Sequence, residues 1–127
     1  MALMKMPTNA VGGGSGNGVF GTLIMGTDYS ANENISVDCG FEPSQIIIVE
    51  TQSSTAQWTF IYDKDYSTVN CRYVGSSNST VRNWTDFAMS GASASSANGF
   101  TEVNSTGFKF HVMSTNTPQR LDYIAVK

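Results

Sequence analysis

Two glycine–phenylalanine pairs, far apart in the chain, each open a strand-like run. Gly40-Phe41 begins GFEPSQIIIVE over 40–50, and Gly107-Phe108 begins GFKFHVM over 107–113, soon followed by LDYIAVK over 121–127. In each, a turn glycine feeds a stretch whose apolar residues alternate with period two or fill it solidly, the pattern of β-strands. Segments so distant in sequence are expected to build one small antiparallel β-domain.

The composition agrees. Charged residues are 13% of the 127, about half the usual share of roughly 25%. Ser, Thr and Asn take their place, and Val and Ile far outnumber Leu. That β-branched bias favours pleated strands over helices. Apolar residues nowhere sustain an i, i+3, i+4, i+7 stripe, so helix content is expected to be close to nil.

Roughly eight short strands are predicted, at 19–27, 34–39, 44–51, 57–63, 68–74, 100–103, 108–114 and 120–126, with a further alternating stretch over 79–89. Turn signals about every 8 to 12 residues point to a β-sandwich or a jelly roll. Ile35, Val37 and Cys39 fall in one phase, and Trp58, Phe60 and Tyr62 form an aromatic core stripe. The solid run 44–51 reads as a central strand covered on both faces. LDYIAV is apolar in both phases, so one of its faces is expected to meet a neighbouring subunit. Residues 1–18 stand apart as a Met-rich start, Pro7 and the run GGGSGNG, flexible-linker composition before a domain over 19–127.

Charge excludes some functions. The net charge of −3, with scattered Lys and Arg, argues against nucleic acid, which asks for a basic stripe to neutralise phosphates. No apolar run approaches the roughly 18 residues of a spanning helix, so no membrane insertion is expected. MALMKMPTNAV lacks a continuous apolar core of signal-peptide length, and synthesis in a cytoplasm is expected.

Catalysis finds little support. His111 is the single histidine, sharing a strand phase with Lys109 and opposite Phe108, Phe110 and Val112. A Ser-His-Asp or Cys-His site would need it as base, and no nucleophile motif accompanies it. No catalytic residue and no cofactor is expected. Cys39 and Cys71 read as small buried hydrophobes, a disulfide between them remaining open, and no Cys/His cluster suggests a metal. Of the carboxylate pairs Asp63/Asp65 and Asp28/Glu33, the first reads as hairpin-turn residues rather than a glycosidase pair, and neither is embedded in a calcium loop. The sequons at Asn34, Asn78, Asn83 and Asn104 read as chance in so Asn/Ser/Thr-rich a chain. Ligand or interface contacts are best sought at Trp84, Arg82, Tyr66 and His111, because exposed aromatics join rigid apolar area to a polar tip.

Gly40, Phe41 and Pro43 before Ile46-Ile47-Ile48-Val49, then Asn98-Gly99-Phe100, Thr106-Gly107-Phe108 and Tyr123-Ile124-Ala125, form a pattern over 35–127. It resembles the small β-sandwich modules of bacteriophage tail-fibre and appendage proteins. The same order of features is similar to H-type lectin domains, sandwiches that trimerise and bind sugars. The resemblance implies a non-enzymatic virion component, assembled in the bacterial cytoplasm, on a tail fibre or baseplate or as a capsid decoration or head fibre. It also implies a homotrimer, contact with host surface glycans, and docking to other virion proteins through the arm, with Met1, Leu3, Met4, Met6 and Pro7 as anchor residues. A soluble trimeric lectin is the alternative. The sugar-contacting residues of H-type lectins do not map onto positions here, so glycan binding comes as an expectation without a site.

Overall fold

The structure is a computed structural model that describes residues 4–5, 16–52, 55–65, 71–75, 81–84, 98–112 and 117–127, with backbone alone for 4–5, 55–57, 71–75 and 81–84. No helix occurs among the described residues. Ten strands among the described residues form two sheets: β1 (Met4–Lys5), β2 (Gly18–Ile24), β3 (Glu33–Asp38), β4 (Gln45–Gln52), β5 (Thr55–Asp63), β6 (Cys71–Gly75), β7 (Val81–Trp84), β8 (Gly99–Asn104), β9 (Gly107–Val112) and β10 (Arg120–Val126). The larger sheet has the order β2-β10-β4-β5-β6-β7 and the smaller β1-β3-β9-β8. Every pairing is antiparallel except β1 with β3, where Met4 and Lys5 face Ser36 and Val37 in parallel register. The chain passes between sheets at β1–β2, β2–β3, β3–β4, β7–β8 and β9–β10. The fold is a small antiparallel β-sandwich.

Alternation decides what lies between the sheets. Ile35 and Val37 on β3, Phe108, Phe110 and Val112 on β9, and Leu121, Tyr123 and Ala125 on β10 are all buried. Aromatic rings lock the layers edge to face. Phe60 of β5 meets Phe110 with centroids 5.0 Å apart, and Phe108 meets Tyr123 at 5.9 Å. Such offset pairs add about 0.5–1.5 kcal/mol each beyond the area they bury. Cys39 continues the inward phase of β3 as a buried free thiol. Burial, and secondarily the Asp38 carboxylate, pushes its pKa up to about 12, so it is held protonated.

The two glycine–phenylalanine pairs meet. β3 runs beside β9 with Asp38 opposite Gly107, and the amides of Cys39 and Gly40 both donate to the Thr106 carbonyl. Gly40 has φ 76°, the left-handed region that glycine enters without strain. Gly107 differs from a turn glycine: it is the first residue of β9, where the β3 backbone leaves no room for a Cβ. The preceding turn is held by Asn104, whose Oδ1 accepts from the amides of Thr106 and Gly107.

One expectation is corrected. β4 is covered on its inner face alone: Ile46, Ile48 and Glu50 are buried, while Ile47 is 41% exposed. The small sheet packs against one side of β4, and among the described residues nothing lies over the other.

Candidate functional site

The outer face of β2, β10 and β4 carries apolar side chains where a solvated sheet carries polar ones. Period two sends Phe20 and Ile24 of β2, Ile47 of β4, and Ile124 and Val126 of β10 outward. Register then sets Phe20 opposite Ile124 and Ile124 opposite Ile47, one row across three strands, which Ile61 of β5 extends. Ile124, in the middle, is 47% exposed, and its neighbours Phe20 and Ile47 about as much. Among the described residues every large exposed apolar side chain lies on this face, apart from Met25 just beyond β2. Below the row, the Thr22 hydroxyl donates to Asp122 Oδ1 at 2.6 Å, and the Arg120 guanidinium binds both Asp122 oxygens at 2.9 Å.

A second unusual group lies inside. Glu50 sits at 2% exposure in the phase of Ile46 and Ile48, with Oε2 accepting from the Asn98 side-chain amide at 2.7 Å. Burial raises its pKa to about 7, and the Asn98 bond partly opposes that rise. Nearby, the buried Tyr29 hydroxyl donates to the Pro118 carbonyl. Burial, then the Glu50 and Asp28 carboxylates, raise the Tyr29 pKa. The sequence reading missed Glu50. Its signal was its parity with Ile46 and Ile48.

The sequence-derived candidates are scattered. Arg82 and Trp84 lie on β7, within the alternating stretch 79–89 and outermost in the larger sheet among the described residues. Trp84 pairs with Cys71, which pairs with Tyr62, so Trp84 shares a cross-strand line with a buried core residue. His111 is part-buried on β9, between Asn34 and Gly99. The register brings it no nearer to β7 than the opposite sheet. Tyr66, and the arm residues Met1, Leu3, Met6 and Pro7, lie outside the described residues; Met4 pairs within its own chain's small sheet.

The carboxylate pairs do turn work. Asp63 Oδ1 accepts the Asp65 amide, Asp28 Oδ2 that of Ile24, and Glu33 Oε2 that of Ser30. Two sequon asparagines are also engaged, Asn34 accepting from Thr101 and Asn104 capping its turn. Among the described residues no group of three or more His, Cys, Asp or Glu could hold a metal ion. The chain matches no protein-family model, no curated protein and no solved structure.

Proposed function

We propose that the chain is a non-enzymatic structural protein of a bacteriophage particle. Its sandwich is displayed on the virion, at a tail fibre or baseplate or on the capsid surface, and docks to other virion proteins through residues 1–18. The phage attribution rests on the resemblance carried by Gly40-Phe41, Pro43 and the later phenylalanine strands. The observation that best supports an assembly role is the row Phe20–Ile124–Ile47, an apolar surface on a strand face that a solitary sandwich would leave in water. Deleting residues 1–17, up to the first residue of β2, is expected to leave a folded protein that no longer enters particles. Undiminished incorporation, read by immunoblot of purified virions, would remove the arm from this role.

A second reading is a trimeric carbohydrate-binding lectin. It draws on Arg82 and Trp84 at the outermost strand of the larger sheet, where no further strand flanks them among the described residues. On a glycan array the wild type is then expected to bind a sugar and Trp84→Ala to lose at least about tenfold in affinity, the scale of one aromatic contact. Silence of the wild type across the array at high concentration counts against it.

A further inference from the structure

We propose that the outer face of β2, β10, β4 and β5 is covered by a second copy of this chain, seated sheet to sheet on the row Phe20–Ile124–Ile47–Ile61. This deepens the assembly reading above and rests on it, because it names the occupant of the same face.

Charge selects the occupant. Among the residues whose side chains are described, the charged ones that register and alternation place on this face are Arg120, Asp122 and Asp63. Arg120 is already bound to Asp122, and Asp63 accepts from Gln45. A face whose ion pair is closed and whose remaining charge is a single carboxylate offers nothing to a polyanion or an anionic membrane, and little to a strongly basic partner. For a chain of net charge −3, it is a surface on which identical copies can meet with little like-charge opposition.

Area fits as well. Four strands spaced by about 4.8 Å and about seven residues long at about 3.4 Å each present a flat projection of roughly 450 Å². Two copies therefore remove roughly 900 Å² or somewhat more, near the lower limit for a specific interface. The row is aliphatic and β-branched apart from Phe20, a surface that interdigitates when two sheets stack about 10 Å apart. An interface of this size is in the class of weak, reversible complexes.

The test is sedimentation equilibrium of the full chain from about 10 μM to 1 mM, concentrations at which a weak, reversible complex is populated. Self-association is expected, and Ile124→Arg is expected to weaken it at least about tenfold by setting a charge at the centre of the row. Ser105→Lys, an equal charge change in the exposed β8–β9 turn, is expected to leave it unchanged. Circular dichroism and thermal melts check the fold; should Ile124→Arg fail to fold, Ile124→Thr and Ile47→Thr keep β-branched residues and decide the matter. A wild type monomeric throughout overturns the proposal, as does association that these substitutions leave intact. Association that arises only after deletion of residues 1–17 also overturns it, by showing the chain's own segment on the face. A monomer that still enters particles sinks this inference and leaves the virion role standing; an oligomer that never enters them does the reverse.

Discussion

Gly107→Ala is expected to destabilise the sandwich by about 3–5 kcal/mol, the range of severe core lesions. A Cβ on Gly107 would overlap the Val37 carbonyl oxygen outright, and would stand 3.0 Å from the Val37 carbonyl carbon and 3.2 Å from Asp38 Cα. All three atoms belong to the β3 backbone, so no side chain can swing aside. Relief requires β9 to move away from β3 where Asp38 faces Gly107 and where Cys39 and Gly40 donate to Thr106. That displacement also loosens Phe108, whose ring packs on Tyr123 of the other sheet. Gly40→Ala is the matched control. Gly40 has positive φ, but nothing lies within 4 Å of its Cβ position, so only the left-handed backbone cost of about 1–2 kcal/mol applies. Urea unfolding of the two variants separates these causes. A Gly107→Ala protein within about 1 kcal/mol of the wild type would show that β9 has slack the backbone packing denies.

This contrast marks how far the fold could be read from the sequence. The glycine–phenylalanine pairs did announce two strands of one domain, and the strand phases of Ile35-Val37-Cys39, Phe60-Tyr62 and Phe108-Phe110-Val112 all point inward as alternation requires. Alternation is a local property, and local properties survive in sequence. What Gly107 meets is not local: the opposing atoms come from β3, about seventy residues earlier, and only register brings them close. Similarly, IIIV says that both faces of β4 are apolar but not that both are covered. The exposure of Ile47 follows from the number of layers, which the run itself does not encode. The apolar outward phase of LDYIAV was legible as a candidate contact face. Its alignment with Phe20 and Ile47 was not, because each strand contributes one residue to the row.

Glu50 is expected to make the folded protein less stable as pH rises from about 4.5 to about 7. Its carboxyl keeps its proton to about pH 7 in the fold, against an ordinary value of 4.5. Between those values the folded chain holds a proton that the unfolded chain has released. Stability is therefore fully present below the lower value, falls as pH climbs through the upper one, and is flat beyond it. A shift of about 2.5 units corresponds to roughly 3 kcal/mol. Other carboxylates titrate in the same acid range, so the quantity to measure is the difference in unfolding free energy between Glu50→Gln and the wild type across pH. The substituted amide keeps an oxygen for the Asn98 side chain but brings two N–H donors into a buried site, a constant cost of about 1–3 kcal/mol if they stay unpaired. That constant shifts the difference curve without tilting it, whereas titration of Glu50 tilts it in favour of the variant by roughly 3 kcal/mol between about pH 4.5 and 7. A difference independent of pH would mean that Glu50 is solvated in the folded state. Burying this carboxylate yields a polar tie between the sheets: Glu50 belongs to β4 of the larger sheet, and Asn98 leads directly into β8 of the smaller. A charged acceptor holds Asn98 more firmly than a neutral one. The charge that costs stability near neutral pH therefore also holds the residue that leads into β8, and Asn98→Ala, by removing the bond that favours the anion, is expected to move the tilt to higher pH.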